Sequence, residues 1–248
     1  MMPRTARIIL PHTPHHIVQR GHNRQVVFTS DDDYNYYRDN LTFFKQEFGC
    51  KIYAYCLMTN HIHLIVDPGN NPESLALLMK RVAGRQTRYI NKLEGRSGSL
   101  WEGRYKSSII ATEEYLPACC RYIELNPLRA SMVTDPAQYK WSSYQAKVLG
   151  RKDPVVDLPP YYLALGDTEQ DRQTAYMEYV FGTVPEYETK LIREALQRGQ
   201  LTGSDRFREE IEKKLGIRIS NKKQGRPKKE TDFFLFDVLR RGEKLFKK

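Results

Sequence analysis

Residues 53–66 read YAYCLMTNHIHLIV, an apolar strand-like run that carries two histidines, His61 and His63. On a strand, successive side chains point to opposite faces, so His61 and His63 share one face while Ile62 and Leu64 share the other. The two imidazoles can converge on one point. With Ile62 and Leu64 entering a core, the histidine face is expected on the open side of a sheet, within reach of a metal or a substrate.

Working outward, Lys51–Leu57 and Asn60–Asp67 read as two strands of a hairpin separated by Met58 and Thr59, without the usual turn glycine. Upstream, Asp31 to Phe48 predicts a helix, opened by Ser30 as N-cap with three aspartates in its first turn and closed at Gly49. Tyr37, Leu41, Phe44 and Phe48 recur on its core face. His15 to Gln19 is a short strand candidate, ended by the turn Arg20-Gly21-His22-Asn23-Arg24, in which Gly21 and Asn23 tolerate left-handed backbone. Arg20, Asn23 and Arg24 there either meet phosphates or are simply solvated.

Downstream, the loop Pro68–Pro72 leads to a helical pattern from Glu73 to Leu93, whose Lys80, Arg81, Arg85, Arg88 and Lys92 form a basic face. In LWEGRYKSSIIA (100–111) the second half is a strand candidate. Trp101, Arg104, Tyr105 and Lys106 interleave aromatic and cationic groups, a combination that stacks bases and neutralises phosphates but is also ordinary in cores. Thr112 caps a helix running through Arg121-Tyr122-Ile123-Glu124 to a stop near Asn126-Pro127, so Tyr122 and Asn126 lie on one helical face if the last turn holds. Taken alone, Tyr122 reads as a half-buried core residue. Tyr139 to Leu149 predicts a further helix.

From Arg151 the texture changes to a proline-punctuated, acidic, tyrosine-rich stretch, and short helices are expected at Thr168–Phe181, Pro185–Gln197 and Ser204–Leu215. The chain thus divides into residues 1–150 and a mainly helical extension, 151–248. The run Lys222-Lys223-Gln224-Gly225-Arg226-Pro227-Lys228-Lys229 is either a Gly-Arg-Pro element whose Arg226 and Lys228 enter a narrow DNA groove or a basic linker.

Composition narrows the classes. The chain of 248 residues is 40% hydrophobic and 11% aromatic with a mean hydropathy of -0.64, as for a folded protein with a polar surface. No apolar run approaches a membrane span and the N-terminal stretch lacks a signal-peptide core, so a cytoplasmic, nucleoid-associated location is expected. Cys50, Cys56, Cys119 and Cys120 form no C-x-x-C pair and read as reduced thiols. The net charge of +10 is uneven: +6 over residues 1–150, −5 over 151–189 and +9 over 190–248. Such a balance favours a polyanionic partner.

Two neutral imidazoles with an amide oxygen from Asn126 leave coordination positions open, an arrangement suited to Mg²⁺ or Mn²⁺ holding a phosphate oxygen. A tyrosine one turn before Asn126 supplies a phenolic nucleophile. Together these point to phosphodiester chemistry with a covalent phosphotyrosine.

His61-Ile62-His63 resembles the histidine, hydrophobic, histidine motif of the HUH endonucleases. With RGHNRQVVF (20–28), LWEGRYKSSII (100–110), RYIELNPLRA (121–130) and KWSSY (140–144), the first 150 residues resemble the REP-associated tyrosine transposases of bacteria. The resemblance implies an α+β fold, a ferredoxin-like or RRM-like antiparallel sheet flanked by helices. It implies cleavage of single-stranded DNA beside a hairpin, a 5′-phosphotyrosine link and a free 3′-hydroxyl. Tyr122 then corresponds to the nucleophile, His61 and His63 to metal ligands, and Asn126 to the third ligand, where relatives favour glutamine. A monomer acting on hairpin DNA is the favoured arrangement; a hairpin-binding protein without catalysis and a replication or relaxase enzyme are the alternatives.

Overall fold

The computed structural model describes residues 7–199 and 201–216. Four strands build the sheet around the histidine run: β1 (His15–Arg20), β2 (Lys51–Met58), β3 (His61–Asp67) and β4 (Lys106–Ile110). All pair antiparallel in the order β2–β3–β1–β4, so β1 is central beside the hairpin. A two-residue strand, β5 (Leu201–Thr202), adds parallel to β4. The architecture is α+β, as the sequence implies, with a mixed rather than purely antiparallel sheet.

The β2–β3 turn manages without glycine because its carbonyls are used elsewhere. The Thr59 carbonyl accepts the Val27 and Phe28 N–H groups at 2.8 and 3.1 Å, and the Asn60 carbonyl accepts the Gly21 N–H at 2.8 Å. The chain leaving β1 therefore clamps the hairpin. Gly21 is required there for space and not for a left-handed backbone: its φ is -59°, and a Cβ would lie 2.3 Å from the Gln25 carbonyl oxygen. The left-handed positions are Asn23 and Arg24, at φ 47° and 60°.

Register decides which face carries what. His63 stands opposite Val18 and Cys56, while Ile65 stands opposite His16 and Ala54. The middle of this face, with Val18, Ala54, Cys56 and Ile65 around the histidines, is apolar and must be covered. The cover is α3 (Thr112–Glu124), which packs across β2, β3 and β4. The expectation of an open histidine face is thus corrected: His63 is only 5% exposed and His61 half-buried. The opposite face, with Ile62 and Leu64, receives α1 (Asp31–Glu47), which pairs with α2 (Glu73–Leu93). Ser30 and Asp33 form a capping box at the start of α1.

After α3 the chain makes one short turn, α4 (Asn126–Arg129). The helix expected over 139–149 shrinks to α5 (Tyr144–Val148). Before it, the chain runs along the edge of β2, where Leu57 N–H donates to the Trp141 carbonyl at 2.9 Å and Ser143 N–H to the Tyr55 carbonyl at 3.0 Å. An edge strand needs partners for its backbone groups, and that demand overrides the local helical pattern.

The described part of the extension, to residue 216, is mainly helical as expected: α6 (Pro160–Leu163), α7 (Glu169–Phe181), α8 (Glu186–Arg198) and α9 (Asp205–Leu215). Thr168 and Ser204 cap α7 and α9 through their side-chain oxygens. α7 packs on α5, and α8 packs on α3, β4 and β5. The acidic region lies against the back of the helix that bears Tyr122.

Candidate active site

The site forms where α3 crosses the histidine face. Strand alternation places Arg20 beside His61 and puts His16 one strand over from His63. His16, which the reading of single stretches passed over, is fully buried, and its Nε2 lies 3.0 Å from His63 Nδ1. Only the pairing of β1 with β3 brings the three imidazoles together. His61 Nδ1 is 2.6 Å from Asn60 Oδ1.

The tyrosine arrives from α3. Its ring meets His16 and His63 edge-on, with centroids 5.9 and 6.1 Å apart. His61 and His63 are themselves 5.1 Å apart, ring centroid to centroid. On its other side Tyr122 carries the guanidinium of Arg129, 4.3 Å from the ring centroid. Arg129 Nη2 donates to the Tyr122 carbonyl and, at 3.1 Å, to Asn126 Oδ1. Asn126 opens α4 instead of closing α3, yet Arg129 ties it to the tyrosine's turn.

Burial keeps the imidazoles neutral. It pulls His61 down to about 4, helped by the Arg20 charge, and His16 to about 3. His63 is held well below the ordinary imidazole range by burial and then by the neighbouring histidines and arginines.

Neutral imidazoles are the form that ligates a divalent cation. His61 has its Nδ1 engaged by Asn60, which leaves Nε2 for a ligand, and the hydrogen bond between His63 Nδ1 and His16 does the same for His63. Asn126 fits less directly: its oxygen already accepts from Arg129, and its buried Nδ2, which has no partner among the described residues, cannot ligate a cation. Among the described residues no group of three or more His, Cys, Asp or Glu gathers in metal-binding geometry.

The residues flanking Tyr122 are anchored from behind. Arg121 makes a two-pronged ion pair with Glu188 of α8 at 2.7 and 2.9 Å, and its Cζ lies 4.4 Å from the Tyr179 ring centroid of α7. Glu124, with no exposed surface, pairs with the equally buried Lys147 at 2.9 Å. It also accepts from Ser143 Oγ at 2.5 Å and Tyr176 Oη at 2.6 Å.

Of the other residues singled out, Arg20 is part-exposed beside His61, and Asn23, Arg24, Arg104 and Lys106 are exposed. Arg85 is exposed on α2, across the sheet from Tyr122, with its guanidinium 5.1 Å from the Phe44 ring centroid. Trp101 is buried and donates its indole N–H to the Ala83 carbonyl at 3.1 Å. Tyr105 is buried beneath Arg7. Arg226 and Lys228 lie outside the described residues.

The helix that bears Tyr122 thus lies over the paired strand histidines of an α+β sheet. Residues 11–126 match the model of the IS200-like transposases. Among solved structures the chain is similar to a REP-associated tyrosine transposase bound to a REP hairpin, with a TM-score of 0.53 and 16% identity over 63% of this chain and 95% of that one. A protein of Deinococcus radiodurans assigned to the transposases matches at a TM-score of 0.33 and 19% identity, over 47% of this chain and 91% of that one. At these identities the first likeness is one of fold. No curated protein matches the chain.

Proposed function

We propose that this protein is a single-stranded DNA endonuclease and strand transferase that works at REP-type hairpins through a covalent 5′-phosphotyrosine. The observation that carries this reading is the contact of the Tyr122 ring with His16 and His63 on the sheet face of an IS200-like transposase fold. The fold neighbour bound to a REP hairpin supports the choice of DNA. Residues 1–150 form the catalytic part in this reading and 151–248 an extension with a basic Gly-Arg-Pro element.

In the cleavage step, the Tyr122 phenolic oxygen gives up its proton to solvent and attacks phosphorus. The new O–P bond forms as the bond from phosphorus to the 3′ oxygen breaks, and that oxygen takes up a proton to leave a free 3′-hydroxyl. The bond energy is kept in the phosphotyrosine, so rejoining to another 3′-hydroxyl needs no further energy source. His16 fixes the ring of His63, and Asn60 that of His61, so both present the same ring nitrogen. Mg²⁺ or Mn²⁺ held by His61, His63 and Asn126 would supply charge neutralisation at the scissile phosphate. Arg20, Asn23, Arg24, Arg104 and Lys106 are the exposed groups offered to the DNA backbone.

The test is incubation of the full chain with a labelled hairpin oligonucleotide and Mg²⁺ or Mn²⁺. A denaturation-resistant adduct is expected, absent in Tyr122→Phe and reduced in His61→Ala. Tight hairpin binding with no adduct in the unmodified chain makes it a hairpin-binding protein instead. Unchanged cleavage in His61→Ala removes the histidines from the mechanism.

A further inference from the structure

Arg129 was not singled out by its sequence context, and three observations set it apart. It is the last residue of α4, exposed to solvent, and yet it lies over the Tyr122 ring at 4.3 Å. One of its nitrogens serves both the Tyr122 carbonyl and the Asn126 amide oxygen. On the same amide, Asn126 Nδ2 is buried without a partner among the described residues, which marks this corner as polar and incompletely satisfied.

A phosphodiester under attack gathers negative charge on its non-bridging oxygens, and a planar guanidinium fork matches two of those oxygens at once. Among the described residues, Arg129 is the arginine whose guanidinium lies over the Tyr122 ring.

Resting on the reading of Tyr122 as nucleophile, we infer that Arg129 is a catalytic residue of strand cleavage: its guanidinium leaves the Asn126 amide oxygen for the non-bridging oxygens of the scissile phosphate. Arg129 neither gains nor loses a proton in the step. Its departure frees the Asn126 oxygen at the moment the phosphate arrives, so a single side chain couples DNA entry to completion of the site. In the DNA-free chain the same contact keeps that oxygen occupied.

The experiment compares the full chain with Arg129→Gln, Arg129→Lys and Tyr122→Phe on a fluorescent oligonucleotide that carries a REP-type hairpin with single-stranded flanks, in Mn²⁺. Adduct formation is followed at saturating DNA, and hairpin affinity by anisotropy. Arg129→Gln is expected to slow the adduct step by roughly 100-fold, with affinity within about threefold of the unmodified chain, and Arg129→Lys to recover part of the rate. Because the side chain is exposed, the melting temperature serves as a folding control. An adduct rate at saturating DNA within about threefold of the unmodified chain in Arg129→Gln, or a loss confined to affinity, overturns the inference. An unmodified chain that forms no adduct overturns the functional reading instead, while an adduct lost in Tyr122→Phe but kept in Arg129→Gln overturns this inference alone. As a second readout, Mn²⁺ titration of the DNA-free chain is expected to show tighter binding in Arg129→Gln; unchanged or weaker binding removes the link to Asn126.

Discussion

His15 and His16 are neighbours on β1 and point to opposite sides of the sheet, and their surroundings assign them different work. His16 joins His63 and Tyr122, whereas His15 is a structural hub: its Nδ1 lies 2.7 Å from the Thr13 carbonyl and its Nε2 accepts the Leu10 N–H at 3.3 Å. A second ring proton would face an amide hydrogen in a site without water access, and burial accordingly pulls His15 down to about 4. The unfolded chain, near 6.5, takes up that proton in a pH range where the folded chain refuses it. Stability from His15 is therefore complete above about pH 6.5 and is lost as pH falls toward 4, with a slope reaching about 1.4 kcal/mol per pH unit. His16 and His61 add to the slope of the unmodified chain, so the diagnostic quantity is the difference: urea unfolding of His15→Gln should show a visibly shallower acid decline. Equal slopes would mean that His15 is already charged in the folded protein. At this scale the site was half legible. His61, His63 and Tyr122 stand in local motifs, but His16 and Arg129 reach them only through register and through a turn after α3, and no local pattern announces either.

Elements give the opposite balance. The ends of α1, α2, α7, α8 and α9 were readable to within a residue or two because caps and periodicity are local chemistry. Their docking was not, because it is set by pairs far apart in the chain. Arg121–Glu188 and Glu124–Lys147 span 67 and 23 residues and tie both neighbours of the Tyr122 turn to α8 and α5. The edge-seeking run before α5 failed for the same reason: the free backbone of β2 was invisible to a local pattern. The Glu124–Lys147 pair makes this anchoring testable. Lys147→Met strands a carboxylate with no exposed surface and should cost about 3–5 kcal/mol, as should Glu124→Gln by orphaning the ammonium. The double variant removes both charges and should return most of that stability, so the denaturant cycle will be strongly non-additive. Two single losses that simply add would show that the pair does not act as a unit. A stable double variant with slowed adduct formation would then locate its role in positioning α3.

At the scale of the whole molecule, charge and site lie on different parts of the chain. Residues 218–248 hold eleven basic and four acidic residues, +7 of the net +10, so most of the net charge that attracts a polyanion belongs to the last 31 residues of the sequence. The ring of Tyr122, by contrast, meets the His16 and His63 rings of its own sheet, and the helix that carries it is bonded to α5, α7 and α8 through Arg121 and Glu124. Swapping that helix alone onto a partner's sheet would break both buried ion pairs, at a cost of several kcal/mol. We propose a site working in cis, which has a direct consequence for mixtures. Tyr122→Phe keeps intact histidines and His63→Ala keeps an intact tyrosine, so a dimer sharing sites would recover one working centre when the two are combined. No adduct above the sum of the separate variants is expected after co-refolding. Recovery approaching a quarter to a half of the unmodified level would show that the tyrosine crosses between chains. Light scattering on the DNA-free and hairpin-bound protein gives the companion measurement, with one chain per hairpin expected in both the adduct and the non-covalent complex.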